Sequence, residues 1–254
     1  MKKIVGLLLV VTIMMGLFPA AYAIFEPVKD TPYGIPIYDS VDDVDITVVI
    51  EGHGLKRILD LVGSIEEAGE FTNSVPRFSY FTECCYSLDD GKYLKSINCS
   101  STDMPSLNAS ILYLYDRDNP IMYSGDTKGR FEQTMDLETM DSYLQSTFLP
   151  IDAQKYSIDV LSREFVNGNY VLTIDATAKN EFKDELDDVY RNVIIEIDPS
   201  TSLIIKMSGH ISSEGGREAT TAHGEVSKTA PSEIDFVYNY NYKTDKKPDY
   251  SLMS

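Results

Sequence analysis

The sequence predicts a strand-rich α+β domain, built from one curved antiparallel sheet and two helices. Apolar and polar residues alternate over segments such as 170–176 and 234–242, which is the period of a strand with one buried face. Turn signals separate such segments, and Asn167-Gly168 is the clearest of them because both residues tolerate positive φ. Two further segments carry apolar residues at helical spacing. Together these patterns favour a strand meander with helices packed on it.

The composition is that of a folded globular protein. The chain has 254 residues, of which 43% are hydrophobic and 24% charged. This balance excludes a disordered or collagen-like chain. The formal net charge of −18 repels phosphate, so we expect no nucleic-acid partner.

The first 23 residues have the features of a signal peptide. Lys2 and Lys3 precede an apolar run that ends at Phe18, and Ala21 and Ala23 supply the small residues of a cleavage site. The run is shorter than the roughly 20 residues needed to span a bilayer, which favours cleavage near Ala23 over a retained anchor. We therefore expect an exported protein, secreted, periplasmic or at the cell surface, that is not an integral membrane protein.

The rest of the chain divides into three parts. Residues 24–51 are rich in proline and predict an extended N-terminal segment, in which 41–51 form a first strand or a packed extension. Residues 52–243 form the domain, since no linker interrupts them. Residues 244–254 are polar and predict a frayed tail.

Two amphipathic helices are expected within the domain. The first covers residues 54–68 and ends at Gly69; its apolar stripe consists of Leu55, Ile58, Leu59, Val62 and Ile65. The second begins after Asp136 as N-cap and stops at Pro150; its stripe consists of Leu137, Met140, Leu144 and Phe148.

No enzyme signature or cofactor-binding motif is present in the sequence. His210 and His223 could form a metal site together with an acidic side chain if their strands are neighbours. However, the alternation of residues along its strand places His210 on the opposite face from Met207 and Ile211, which favours an outward position. The acidic run 184–188 lacks the EF-hand pattern and predicts a solvated loop rather than a calcium site. We therefore expect no catalytic residue, no metal and no cofactor.

The three cysteines leave several pairings open. A two-residue turn at 89–91 would place Cys99 opposite Tyr80 or Thr82, and so away from Cys84 and Cys85. A bridge from Cys99 would then require a longer loop or a bulge. A Cys99 disulfide, a vicinal Cys84–Cys85 ring and free thiols all remain possible at this stage.

The segment 192–207 contains the turn Asp198-Pro199-Ser200-Thr201-Ser202-Leu203 between two strands. With the helix at 55–65, the hairpin at 156–178 and the late strand at 234–240, it resembles the LolA/LppX-like lipoprotein-carrier superfamily. The resemblance implies an unclosed half-barrel, in which the helices form a lid over an apolar cavity and the ligand is an acyl chain or a lipoprotein. The segment 24–51 is additional to that pattern, and the carriers' functional arginine has no match in this chain.

We therefore expect a non-enzymatic protein that binds an apolar ligand, an acyl chain or a lipoprotein, between sheet and helices. The expected lining consists of alternating apolar positions, namely Leu172, Ile174, Val193, Ile195, Ile197, Leu203, Ile205, Met207, Phe236 and Tyr238, with Leu144 and Phe148 from the lid. The same positions would also suit an ordinary packed core. The alternative is an envelope interaction or scaffold module that contacts a protein partner through exposed tyrosines at 238–242 or through the acidic loop.

Overall fold

A computed structural model describes residues 36–52, 54–72, 78–88, 91–101, 105, 108–126, 129–140, 151–184, 186–216, 218–220, 226–228 and 231–245. Residues 1–23, and with them the expected signal peptide, lie outside this part of the chain. Among the described residues, no helix has both the length and the apolar character needed to cross a membrane.

An open antiparallel sheet of eleven strands dominates the fold. The strands are β1 (Ser64–Thr72), β2 (Phe78–Ser87), β3 (Lys92–Ser101), β4 (Ala109–Asp116), β5 (Ile121–Asp126), β6 (Gly129–Thr134), β7 (Tyr156–Val166), β8 (Asn169–Ala178), β9 (Asp188–Ile197), β10 (Ile204–Ser213) and β13 (Ser232–Tyr242). Their order is β6-β5-β4-β3-β2-β1-β13-β10-β9-β8-β7. The predicted fold class, one unclosed antiparallel sheet with helices on it, is confirmed.

The last strand lies in the middle of the sheet. β13 pairs with β1 on one side, where Ile65 is opposite Tyr242, and with β10 on the other, where Met207 is opposite Tyr238. The sheet thus consists of an N-terminal half, β1–β6, and a C-terminal half, β7–β10, that are joined through β13.

Two short helices precede the sheet, α1 (Ile46–Gly52) and α2 (Leu55–Val62). The Asp45 carboxylate caps α1, because it accepts hydrogen bonds from the backbone N–H of Thr47 at 2.9 Å and of Val48 at 3.3 Å. The strand considered for 41–51 is therefore wrong from residue 46 onward, whereas the alternative of a segment packed on the domain agrees with the burial of Ile46, Val49 and Ile50. The β-branched residues there suggested a strand, but the cap and the burial of Val49 and Ile50 select a helix.

The first predicted helix is half as long as expected. It ends at Gly63, whose φ of 79° and N–H to the Leu59 carbonyl at 2.8 Å form a C-terminal cap. Residues 64–68, predicted as its continuation, instead open β1, and Gly69 lies within that strand. Pairing with β2 and β13 outweighs the helix propensity of these residues.

The turns follow the sequence signals closely. Asn167 and Gly168 have φ of 54° and 89° and connect β7 to β8. The Asp198 carboxylate accepts hydrogen bonds from the Ser200 N–H at 2.8 Å and the Ser200 hydroxyl at 2.7 Å, which fixes the turn between β9 and β10. Two short strands, β11 (Glu218–Thr220) and β12 (Val226–Lys228), pair with each other as a separate ribbon.

Candidate ligand-binding face

The face of the sheet that packs against α1 and α2 is called the inner face here. In the C-terminal half its side chains are apolar. They alternate with the outer face throughout β8, whereas in β9 the alternation is interrupted at Arg191 and Asn192, where the register with β8 shifts. Five of the predicted lining residues lie there with 0% exposure, and these are Leu172, Ile174, Val193, Ile195 and Ile197. They belong to one continuous cluster with the helices, so the sequence pattern correctly located this face.

Strand β10 departs from the predicted alternation at its start. The register with β9 shifts between Ile204 and Lys206. Because of this irregularity, the side chain of Ile204 rather than that of Ile205 lies in the buried cluster. The predicted inner position of Ile205 is therefore wrong, because it assumed an unbroken strand. Leu203 and Met207 are buried as expected.

An aromatic group lies on the inner face where the two halves meet. The Phe81 ring centroid is 5.5 Å from that of Phe71 and 5.7 Å from that of Tyr238. Phe236 lies on the same face of β13, with its ring centroid 4.8 Å from that of Tyr238. Gly69 makes room for this group, since a Cβ there would lie 2.0 Å from the Phe81 ring.

The cover of the inner face comes from the N-terminal part of the described chain. Its buried side chains are Val44, Ile46, Val49, Ile50, Leu55, Ile58 and Leu59. Polar contacts fix this cover at both ends: the Tyr170 hydroxyl donates to the Tyr38 carbonyl at 2.9 Å, and the Tyr93 hydroxyl donates to Asp60 at 3.1 Å.

The second predicted helix is described only at its beginning. The Asp136 carboxylate accepts a hydrogen bond from the Thr139 N–H at 2.7 Å, as expected of an N-cap, and residues 137–140 are helical. Met140 is buried in the common cluster, whereas Leu137 is exposed. The predicted lid residues Leu144 and Phe148 lie outside the described residues.

The N-terminal half of the inner face contains a charged group that the sequence did not predict. Glu67 on β1 lies opposite Glu83 on β2, and Lys95 on β3 extends its Nζ to 2.6 Å from Glu83 Oε1. All three side chains are almost fully buried. In the sequence they follow the strand period, but charged residues at such positions ordinarily predict the solvent face.

Burial controls the protonation of this group. It raises the pKa of the Glu67 carboxyl well above the ordinary value of 4.5; the nearby charge of Glu83 raises it further, and Lys95 opposes this rise. Burial also raises the pKa of Glu83, against the effect of its Lys95 partner. Burial therefore favours the protonated form of both carboxyls, and the charge of Lys95 opposes this effect.

The tyrosines at 238–242 do not form the exposed surface considered for the scaffold alternative. Tyr238 and Tyr240 are 6% and 9% exposed, and the Tyr242 hydroxyl donates to the Ile204 carbonyl. They point to the inner face, since β13 lies in the middle of the sheet rather than at an edge. The exposed apolar side chains lie elsewhere, and Phe165 is the most exposed of them at 60%.

The three cysteines are free thiols. Cys99 lies opposite Phe81, because the β2–β3 connection is one residue longer than a two-residue turn and Ser87 pairs with Tyr93. The predicted partners Tyr80 and Thr82 are thus each one position off, while the separation of Cys99 from Cys84 and Cys85 holds. Burial raises the pKa of the Cys85 thiol well above its ordinary value.

His210 lies beside Asp235 on β13, with Nδ1 2.8 Å from the Asp235 carboxylate, and it is partly exposed as expected. His223, its proposed metal-binding partner, lies outside the described residues. In the described part of the chain no three histidine, cysteine or acidic side chains are grouped as metal ligands. In the acidic run, Asp187 accepts a hydrogen bond from the Ser213 hydroxyl at 2.7 Å.

No protein-family model matches this sequence, and no curated protein matches it. Among solved structures, the lipoprotein LppX from Mycobacterium tuberculosis aligns over 81% of this chain and 100% of its own, with 8% identity and a TM-score of 0.40. LprF from Mycobacterium bovis aligns over 80% and 95%, with 10% identity and a TM-score of 0.40. A LolA superfamily protein from Nitrosomonas europaea aligns over 78% and 97%, with 11% identity and a TM-score of 0.26.

Proposed function

We propose that this chain is an exported, non-enzymatic protein that binds an apolar ligand of the acyl-chain type between the inner face and its helical cover. The observation that carries the proposal is the continuous apolar inner face of β8, β9, β10 and β13, covered by short helices rather than by a second sheet. A lipoprotein is a ligand of the same kind, since it would present its acyl chains to this face.

The cover depends on the sheet for its stability. α1 has seven residues and α2 has eight, and helices of this length are unstable alone in water. Their stability therefore comes from the apolar residues that they place on the sheet. An acyl chain that replaces those contacts offers the same burial, at roughly 0.8 kcal/mol per CH₂ group.

Titration with fatty-acyl probes of increasing chain length tests this proposal. Affinity is expected to rise with each added CH₂ group and to level off when the face is filled. Absence of binding at every length would contradict it.

Met207→Trp tests where the probe binds. Met207 lies on the inner face between Ile195 and Tyr238. A larger side chain there should weaken probe binding by about tenfold or more while the protein stays folded, because it takes up space that the ligand would use. If the face is only a packed core, the substitution should instead cost about 1–3 kcal/mol of stability, with no binding to lose.

Ile194→Trp is the matched control for this variant. Ile194 is 40% exposed and lies on the opposite face of β9 from Ile195. It should change neither the melting temperature nor the probe affinity by a measurable amount. Equal loss of binding in both variants would place the probe away from the inner face.

A second function is favoured by one specific observation. Phe165 and Val166, at the tip of the β7–β8 hairpin, are 60% and 41% exposed. We propose that, if no acyl probe binds, this tip contacts a protein partner in the cell envelope. Phe165→Ser would then abolish capture of that partner while leaving the melting temperature unchanged.

A further inference from the structure

Glu67 occupies an unusual position for a carboxyl group. It lies on the inner face of β1, with Glu83 directly opposite on β2 and Tyr240 directly opposite on β13. It is 1% exposed and Glu83 is 2% exposed. Like charges directly opposite each other on neighbouring strands destabilise a sheet.

The group contains two carboxyls and one ammonium. Lys95 Nζ lies 2.6 Å from Glu83 Oε1, so the lysine charge is used by Glu83. Within the described residues, Glu67 Oε2 has no hydrogen-bond partner. A buried polar atom without a partner is unfavourable, so its presence in a folded protein calls for an explanation.

This acceptor lies at one end of the apolar face. Gly69 is two residues further along the same face of β1, and the Phe81 ring lies over it. From there the rings of Phe71 and Tyr238 lead toward Met207, which is opposite Tyr238. α2 covers this end, since it contacts both β1 and β2.

We propose that Glu67 binds a positively charged amine head group of the apolar ligand, whose hydrocarbon chain lies along the aromatic group toward Met207. This inference rests on the proposed function, because it assigns the polar end of the ligand held between sheet and helices. A bound ammonium would supply the missing donor to Glu67 Oε2 and would give two carboxylates two cationic partners. A fatty acid would instead bring a third carboxylate into the same buried group.

Proton balance gives the proposal a second signature. Burial raises the pKa of Glu67 well above its ordinary value and so favours the protonated carboxyl in the free protein. An incoming ammonium stabilises the ionised carboxylate, and the carboxyl proton leaves to the buffer. Binding of the amine should therefore release up to one proton for each ligand, whereas binding of a neutral alcohol should release none.

The experiment compares dodecylamine, dodecanol and dodecanoate as probes of equal chain length on the mature protein near pH 7. We expect dodecylamine to bind about tenfold or more tightly than dodecanol, and dodecanoate to bind most weakly. Calorimetry in buffers of different ionisation enthalpy should show proton release for dodecylamine alone.

Two variants separate Glu67 from the general attraction of a cation to an acidic protein of net charge −18. Glu67→Gln should remove the preference for amine over alcohol and the proton release, while dodecanol binding stays within about threefold. Glu70→Gln removes one carboxylate from an exposed position on the same strand. This variant should keep both the preference for amine over alcohol and the proton release.

The outcomes separate this inference from the proposed function. Equal binding of amine and alcohol to the unaltered protein, or an amine preference that persists in Glu67→Gln, overturns the head-group assignment and leaves apolar binding in place. Absence of binding by all three probes overturns both. If Glu67→Gln does not fold, Glu67→Met, whose side chain is apolar and of similar length, takes its place in the same comparison.

Discussion

The two halves of the inner face are built differently although they belong to one sheet. In the C-terminal half the buried residues of β8 and β9 are uniformly apolar, and the opposite face is polar or partly exposed. In the N-terminal half β2 is buried on both faces, with Cys84 on one side and Cys85 on the other, and Glu83 and Lys95 lie among apolar neighbours. The comparison teaches that the C-terminal half depends on packing, whereas the N-terminal half also depends on charge balance.

The largest expected effect of a single substitution lies in the charged half. Lys95→Met leaves the Glu83 carboxylate buried without its cation, and this should lower the free energy of unfolding by about 3–5 kcal/mol. Urea denaturation near pH 7 measures it. Lys206→Met is the matched control, because Lys206 forms a partly exposed pair with Glu196 at 3.5 Å, and it should cost less than about 1 kcal/mol.

A double substitution sharpens this test. Lys95→Met combined with Glu83→Leu removes both charges, so the protein should recover much of the lost stability. A double variant no more stable than Lys95→Met alone would show that packing rather than charge governs this half.

In the C-terminal half, the loss of buried side-chain volume alone should lower the free energy of unfolding. Ile195→Ala leaves a cavity at a fully buried position and should cost about 2–5 kcal/mol in the same assay. Ile194→Ala, one residue earlier and 40% exposed, should stay within about 0.5 kcal/mol. Similar losses in the two variants would mean that β9 does not have one buried and one open face.

The smallest expected effect is the pH dependence of the folding stability, which should arise in the N-terminal half because Glu67 lies there. The folded-state pKa of Glu67 lies above its ordinary value of 4.5, so the folded protein holds the proton more tightly than the unfolded chain. The stabilisation is therefore full below about pH 4.5 and is lost as pH rises through the folded pKa, with a slope of up to roughly 1.4 kcal/mol per pH unit.

Melting curves of the unaltered protein and of Glu67→Gln across this range measure that slope. The titratable groups that interact with Glu67 are the same in both proteins, and they are Glu83, Lys95, Cys85, Tyr238, Tyr240 and Tyr242. The difference in stability between the two should change with pH in the stated direction. A constant difference would show that Glu67 has the same pKa in the folded and unfolded chains.

The C-terminal half could be predicted from the sequence because its signals agree with each other. Asn167-Gly168 and Asp198 mark the turns, and the apolar period is regular along β8 and over residues 193–197. It is interrupted at Arg191 and Asn192 and again by the irregularity at Ile204. That irregularity has no sequence signature, so the position of Ile205 was predicted wrongly. In the rest of the C-terminal half, the local sequence pattern and the strand pairing favour the same structure.

The N-terminal half could be predicted only in outline, since its local and global preferences conflict. Residues 64–68 favour a helix by composition, and their strand conformation comes from pairing with β2 and with β13, far along the chain. The inward position of Glu67 follows from the same pairing. No local signal distinguishes it from the neighbouring Glu66 or from the exposed Glu70.

The central position of β13 determines when this sheet can be completed. Residues 232–242 follow every strand of the two halves along the chain, yet they join those halves. Until they emerge from the ribosome, β1 and β10 each present an open edge, and such edges readily pair with other chains. The order of synthesis therefore delays completion of the sheet until β13 is available.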